Sequence, residues 1–163
     1  MRDCGSQSGL WLRCPIYIDQ LALAIGMKNI LVLCTGNSCR SQMAHGYLQK
    51  FASNETKVYS AGVETHGLNS GAVATMAEDG IDISSHTSNH VDEYSNINFD
   101  LILTVCDHAK ERCPVLPSSA KKVHFNFPDP SKFEGTEEEK KDEFRRVRNL
   151  IKQFCRDLLE QNP

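Results

Sequence analysis

The stretch ILVLCTGNSCRS at residues 30–41 decides the fold of this chain. Its first four residues form a short continuous apolar run, which is typical of a strand buried on both faces of a parallel sheet. A small polar segment that contains glycine follows at 34–39. After Arg40, apolar residues recur at helical spacing: Met43, Ala44, Tyr47, Leu48 and Phe51. The stretch therefore predicts a buried strand, a tight loop and a helix in direct succession.

The alternation of strand and helix continues along the chain. Further strand-like runs occur at 58–60, 101–105 and 123–125. A second helix is predicted over 72–77, before Gly80, and a last helix begins at a capping box of Thr136 and Glu139. The last helix has an apolar stripe of Phe144, Val147, Ile151, Phe154 and Leu158. This order predicts an α/β fold, a four-stranded parallel sheet flanked by helices, whose ligand site lies at the carboxyl ends of the strands.

Length, composition and charge exclude several classes of protein. The chain has 163 residues, of which 40% are hydrophobic and 24% are charged, as in an ordinary single globular domain. Its net charge is −3, which argues against a nucleic-acid partner. No apolar run approaches the roughly 20 residues that cross a bilayer, so we expect no association with membranes.

The cysteines and the N-terminal region bear on where the protein works. Seven cysteines, an odd number, do not match a secreted disulfide framework, so we expect reduced thiols and a cytoplasmic protein. Residues 1–26 resemble a signal peptide only weakly, because charged and polar residues interrupt the apolar region. We therefore predict an N-terminal extension at 1–26 apart from the fold, and one domain at 27–163. Three thiols are interpreted as structural: Cys4, Cys14 and Cys155.

The loop after the first strand has the composition of an oxyanion-binding loop. Backbone N–H groups at a helix N-terminus can surround a tetrahedral oxyanion, and Arg40 can bind two of its oxygens as a fork. The same positive field predicts that Cys34 is a thiolate, the attacking form, with a hydrogen bond from Ser41. Cys39 is interpreted as a packing residue whose backbone belongs to the loop. The predicted binding loop comprises Thr35, Gly36, Asn37, Ser38, Cys39, Arg40 and Ser41.

Three more residues are predicted to meet at the same edge of the sheet. Asp129 lies between two prolines after the fourth predicted strand, where its carboxyl group can act as a general acid. Cys106 follows the strand 101–105, and Cys113 lies further along the chain. On a helix the Cα atoms of these two cysteines would be roughly 10.5 Å apart, whereas a disulfide needs roughly 7 Å or less. A disulfide between them therefore requires the segment 106–113 to unwind.

These motifs resemble a known family. The pattern C-x5-R-S at 34–41, directly after the first strand, is similar to the low-molecular-weight protein tyrosine phosphatase fold, from about Met27 to the C-terminus. The fuller string CTGNSCRSQMA at 34–44 resembles the thioredoxin-coupled arsenate reductases of that fold. Further matching segments are YSAG at 59–62, IDIS at 81–84, HTS at 86–88, Cys106, Cys113-Pro114 and Asp129-Pro130.

The resemblance implies that arsenate is reduced by three cysteines. Cys34 would attack arsenate bound by the loop and Arg40, while Asp129 would protonate the departing oxygen. Cys106 would then attack Cys34 and release arsenite, and Cys113 would take over the disulfide. Thioredoxin would reduce that disulfide, with glutaredoxin as the alternative reductant. No organic cofactor is required, and we expect a monomer.

The resemblance also bears on a metal. Members of this family commonly have Glu and Asp at the positions of His45 and Asn89, where the carboxylates help to bind a monovalent cation. Asn37 and Ser60 are retained here, but both charges are absent. We therefore assign no metal, and we interpret His45 as a surface residue.

Two other functions are open from the sequence. A low-molecular-weight tyrosine phosphatase would need only Cys34, Arg40 and Asp129. Such enzymes usually carry aromatic residues after the Asp-Pro pair, whereas Ser131 and Lys132 follow here. A module that binds an oxyanion or senses redox state without turnover would leave the catalytic combination of side chains unused. The sequence therefore favours arsenate reduction.

Overall fold

A computed structural model describes residues 26–112 and 119–162. Four strands form one parallel sheet: β1 (Asn29–Cys34), β2 (Lys57–Gly62), β3 (Leu101–Thr104) and β4 (Lys121–His124). Four helices flank them: α1 (Arg40–Phe51), α2 (Ser70–Glu78), α3 (Asp107–Arg112) and α4 (Glu137–Glu160). Two 3₁₀ turns lie at Val91–Tyr94 and Pro130–Lys132. The predicted four-stranded α/β fold is confirmed, whereas the prediction for residues 1–26 concerns a segment that lies, except for Gly26, outside the described residues.

The strand order β2-β1-β3-β4 places β1 inside the sheet. Its neighbours are β2 on one side and β3 on the other, both parallel to it. The chain therefore leaves β1 at a switch point, where connections diverge to opposite sides and open a crevice beyond the strand ends. Residues 30–33 are fully buried, as their continuous apolar run predicts. Cys34, the last residue of β1, is thereby delivered to that crevice.

Helix α4 covers one face of the domain. Its capping box is formed as predicted, because Thr136 accepts from the Glu139 N–H and the Glu139 carboxylate accepts from the Thr136 N–H. The helix packs against α1 and α2. Its buried stripe consists of Val147, Ile151, Cys155 and Leu158, while Phe144 and Phe154 are partly buried. The structural interpretation of Cys155 is thus confirmed, since its thiol lies in the core.

Strand β4 differs from its prediction by two residues. It spans Lys121–His124 rather than 123–125. As an edge strand it pairs only with β3, so its first two lysines can face solvent and no apolar run is needed to mark it. Phe125 extends the pairing by one hydrogen bond to Thr104, yet its ring is exposed. Within the part of the chain that the structure describes, no helix is both long and apolar enough to span a membrane.

Candidate active site

A cleft of about 210 Å³ opens at the carboxyl end of β1. Seven residues that the sequence assigned to the site line it: Cys34, Thr35, Gly36, Ser38, Cys39, Arg40 and Asp129. Four other residues that the sequence did not assign to the site line it as well: His66, His108, Ser131 and Lys132. Cys106 lies directly behind this lining, in contact with Cys34. The fold therefore brings the predicted nucleophile, arginine, acid and second cysteine together.

The loop after β1 turns its backbone N–H groups toward the cleft. The carbonyl groups of Cys34, Thr35, Gly36 and Ser38 accept hydrogen bonds from the N–H groups of Val63, Glu64, His66 and Asn69, at 3.4, 2.9, 3.0 and 3.0 Å. In a trans peptide the N–H points opposite to the C=O. The N–H groups that follow those carbonyls therefore face away from the segment 63–69 and form a nest for an anion. This arrangement supports the predicted oxyanion-binding loop.

Asn37 holds the loop in an uncommon conformation. Its φ angle is 43°, in the left-handed region that few residues other than glycine adopt. The side chain stabilises this turn, because its amide donates to the Ser60 carbonyl at 3.0 Å and its oxygen accepts from Ser41 Oγ at 3.0 Å. The prediction that Ser41 donates to the Cys34 thiolate is therefore wrong. The only hydroxyl proton of the buried Ser41 is used to fix Asn37 instead.

Two glycines permit the close approach of backbone around the loop. A Cβ atom on Gly36 would collide with the ring of His66, which packs over that position. A Cβ atom on Gly62, at the end of β2, would meet the carbonyl oxygens of Thr35 and Glu64. Substitution at either position would therefore push the loop away from the segment 63–69 that orients its peptide groups.

Arg40 links the loop to the segment that carries Asp129. One guanidinium nitrogen donates to the Phe127 carbonyl at 2.9 Å, and the other donates to Asp129 Oδ2 at 3.0 Å. The second carboxylate oxygen, Oδ1, accepts from the N–H and the hydroxyl of Ser131 at 3.1 and 2.6 Å. Asp129 is thus held at the cleft wall with both oxygens accepting hydrogen bonds, and its role as a general acid stays a prediction. Binding of two oxyanion oxygens by Arg40 stays a prediction.

The thiols of Cys34 and Cys106 are in hydrogen-bond contact, so the two groups titrate as a pair. Burial and a hydrogen bond to Cys106 raise the pKa of the Cys34 thiol above its ordinary value, with the hydrogen bond the larger cause. Hydrogen bonds from Cys34, the Thr35 hydroxyl and the Ala109 N–H lower the pKa of Cys106 to about 5. Thr35 Oγ1 lies 3.3 Å from Cys106 Sγ. The burial of Cys34 and its hydrogen bond to Cys106 therefore act against the thiolate form expected for Cys34, and its ionisation stays a prediction.

Two more cysteines were assigned to the site, Cys39 and Cys113, and only Cys39 lies among the described residues. Burial, and secondarily the charge of Asp129, raise the pKa of Cys39 to about 12. Cys39 therefore remains a neutral, buried thiol, in agreement with its interpretation as a packing residue. Cys106 immediately precedes α3, whose formation confirms the predicted helix up to Arg112. Cys113 lies outside the described residues, and its role stays a prediction.

His45 is half-buried rather than freely exposed, in contrast to its interpretation as a surface residue. Its Nδ1 lies 3.0 Å from Ser60 Oγ, and its ring packs on His86 with 4.4 Å between ring centroids. Burial, followed by the neighbouring His86, lowers the pKa of His45 to about 4. Asn89 donates to Glu93 at 2.8 Å. Within residues 26–112 and 119–162, no group of three or more His, Cys, Asp or Glu is arranged to bind a metal ion.

We expect the half-buried His45 to make the domain sensitive to acid. Its folded pKa, about 4, lies below the ordinary value of 6.5, so between these values the unfolded chain binds a proton that the folded chain does not. The free energy of unfolding should therefore fall as the pH falls through this range. His45→Gln can still bond to Ser60 and should reduce that loss by on the order of 2 kcal/mol. Urea unfolding of both proteins above and below this range checks the prediction, and equal acid losses would contradict it.

The lining residues that the sequence did not predict have little in their local sequence pattern to mark them as part of a site. His66 follows β2, Lys132 ends a 3₁₀ turn and His108 lies in α3, so only the folding of three separate segments brings them to one cleft. His108 could have been found, because it lies two residues after Cys106 in a segment predicted to be helical. His66 and Lys132 have no periodicity or motif spacing that marks them.

Comparison with known proteins places this site in a family. Residues 29–162 match the model of the low molecular weight phosphotyrosine protein phosphatase family. A curated arsenate reductase of Halalkalibacterium halodurans is 53% identical over 124 residues, which are 76% of this chain and 89% of that protein. The arsenate reductase of Bacillus subtilis is 50% identical over 132 residues, 78% of this chain and 95% of that protein.

A solved structure described as an arsenate reductase in the phosphate binding state is 27% identical, with a TM-score of 0.69. The match covers 84% of this chain and 100% of that one. The phosphatase-like fold expected from the motifs is therefore confirmed, and so is the similarity to arsenate reductases. The chain belongs to the low molecular weight phosphotyrosine protein phosphatase family, in which it has arsenate reductases as relatives at about half sequence identity.

Proposed function

We propose that this protein reduces arsenate to arsenite through Cys34, Cys106 and Cys113, and that thioredoxin regenerates it. The observation that carries the proposal is the contact between the thiols of Cys34 and Cys106 at the base of an oxyanion cleft. Transfer of a phosphoryl group needs one sulfur, whereas reduction needs a second sulfur within reach of the first. The names of the relatives support the same activity, which serves arsenic detoxification in the cytoplasm.

The first step forms a bond between Cys34 and arsenic. The loop N–H groups and Arg40 bind arsenate, and the Cys34 sulfur attacks arsenic as its proton passes to the adjacent Cys106 thiolate. One As–O bond breaks, and Asp129 relays a proton from solvent to the departing oxygen, which leaves as water. Arsenic is still pentavalent in this thiol adduct.

The second step transfers the electrons. Cys106 releases the proton that it took from Cys34 to solvent and, as the thiolate, attacks the sulfur of Cys34, and the electron pair of the S–As bond passes to arsenic. Arsenic leaves as arsenite, and the two cysteines form a disulfide. Cys113 then attacks Cys106, which frees the Cys34 thiol and produces the Cys106–Cys113 disulfide. A dithiol reductant such as thioredoxin returns both sulfurs to thiols.

A tyrosine phosphatase is the second candidate. Cys34, Arg40 and Asp129 in one cleft would also serve phosphoryl transfer, and the family as a whole is described by that activity. A phosphotyrosine ring, however, needs an apolar wall. Among the described residues that line the cleft there is no Phe, Tyr or Trp, and Ser131 and Lys132 occupy the positions after the Asp-Pro pair. These observations favour arsenate over an aryl ester.

Steady-state turnover distinguishes the candidates. The full chain is supplied with arsenate, thioredoxin, thioredoxin reductase and NADPH, and both arsenite and NADPH oxidation are measured. We expect one arsenite for each NADPH consumed. Turnover with glutaredoxin and glutathione alone would overturn the assignment of the reductant. Hydrolysis of aryl phosphates without arsenite would support the phosphatase, and arsenate binding without either product would support a binding module.

A further inference from the structure

The mouth of the cleft is lined by polar side chains from separate elements. Lys132 lies at the end of the 3₁₀ turn that begins after Asp129, and His108 lies in the first turn of α3. His66 also lines the cleft. Its ring covers Gly36, and its Nε2 lies 3.0 Å from the Glu64 carboxylate. None of these residues is required to bind the oxygens that face the loop.

The direction of attack decides which substrate atom meets this mouth. A nucleophile approaches a tetrahedral centre opposite to the group that leaves, so three oxygens of the oxyanion face the loop and Arg40 while the fourth points away from Cys34. In inorganic arsenate or phosphate that outward atom is an oxygen without a substituent. In an organic monoester it carries the alcohol or phenol.

Lys132 and His108 are free to interact with that outward oxygen. Within residues 26–112 and 119–162, neither side chain makes a hydrogen bond or an ion pair. The other polar groups are already engaged: Arg40 with Asp129, and His66 with Glu64. Arg40 already has a carboxylate partner in Asp129 at 3.0 Å, whereas Lys132 is a cation of the cleft lining that has none and adds a second positive charge for the anion.

We propose that Lys132 and His108 determine specificity by binding the outward oxygen of an inorganic tetrahedral oxyanion, which disfavours organic phosphate monoesters. For arsenate as the substrate this inference rests on the proposed function. A lysine ammonium beside an unsubstituted oxygen gains a charge-assisted hydrogen bond. An ester group at the same place would replace that charged acceptor with a neutral bridging oxygen and would put its alcohol or phenol in the space of the ammonium.

The test compares two substrates in the same variants. Lys132→Met should raise KM for arsenate and Kd for inorganic phosphate by about tenfold, the loss of one charge-assisted hydrogen bond. For p-nitrophenyl phosphate, kcat/KM should fall by no more than about twofold, since its outward atom is esterified. His108→Leu should act in the same direction by about threefold, as expected for the loss of one hydrogen bond. Lys110→Met, on α3 but outside the cleft lining, is the matched control and should change neither substrate.

Lys132→Arg keeps the charge and should restore arsenate affinity to within about threefold of the parent. If Lys132→Met weakens phosphate binding and lowers kcat/KM for p-nitrophenyl phosphate by the same factor, Lys132 only attracts anions in general and the proposal is overturned. Unchanged Kd and KM values in Lys132→Met would overturn it as well. Calorimetric titration of the reduced protein with phosphate requires no turnover. If the parent protein forms no arsenite but Lys132→Met weakens phosphate binding as predicted, the proposed function is refuted and the specificity proposal stands. If the parent forms arsenite but Lys132→Met binds phosphate normally, the proposed function stands and the specificity proposal is refuted.

Discussion

Cys34→Ser is expected to abolish arsenate reduction and aryl phosphate hydrolysis together, by a factor on the order of 10⁴ or more. Both reactions begin with attack by the same sulfur. A serine hydroxyl at this position is a much weaker nucleophile and cannot enter a disulfide. Cys34 is buried at the end of β1, and no other thiol of the described residues occupies that position at the start of the loop.

Cys155→Ala provides the control for this loss. It also removes a buried thiol, but Cys155 lies on α4, where its sulfur is 3.9 Å from the Ala44 carbonyl and outside the cleft lining. We expect that variant to lose some stability and to retain turnover. Arsenite formation and p-nitrophenyl phosphate hydrolysis are measured for both proteins. Either activity persisting in Cys34→Ser would remove Cys34 from the nucleophile position.

Cys113→Ser is expected to support a single turnover and then stop. Attack by Cys34 and release of arsenite by Cys106 do not use the third sulfur, so one arsenite per protein should form. The enzyme should then remain as a Cys34–Cys106 disulfide. Both sulfurs are buried, at 5% and 4% exposure, so a protein reductant would reach that bond poorly. Multiple turnover with thioredoxin should fall by about 100-fold or more.

Mass spectrometry after one exposure to arsenate checks this prediction. Cys113→Ser should show the Cys34–Cys106 bond, whereas the parent protein should show the Cys106–Cys113 bond. Circular dichroism of the oxidised parent protein should also show less helix, because α3 unwinds. Cys106→Ser is the comparison variant and should release no arsenite even in the first turnover. If Cys113→Ser turns over at the parent rate, the relay of three thiols is wrong, and a cycle that uses an external thiol such as glutathione gains support.

The fold followed from the sequence because its signals are local. The apolar run at 30–33, the short loop and the helical spacing after Arg40 predicted β1 and α1, and the capping box at Thr136 predicted the start of α4. Burial on both faces of a parallel sheet requires such continuous runs, so the inner strands are easy to recognise. The edge strand β4 was displaced in the prediction, because an edge strand needs no such run.

The sequence by itself determined which residues could carry chemistry, namely Cys34, Arg40, Asp129 and Cys106, since topology sends the ends of neighbouring parallel strands to one edge. Only the tertiary structure decided their state. The contact of two sulfurs raised the pKa of Cys34 and lowered that of Cys106, and the geometry of α1 directed Ser41 to Asn37. Packing half-buried His45, and two separate segments brought Lys132 and His108 to the mouth. Protonation, hydrogen-bond partners and cleft lining depend on distances of a few ångströms between residues far apart in the chain, which no local pattern encodes.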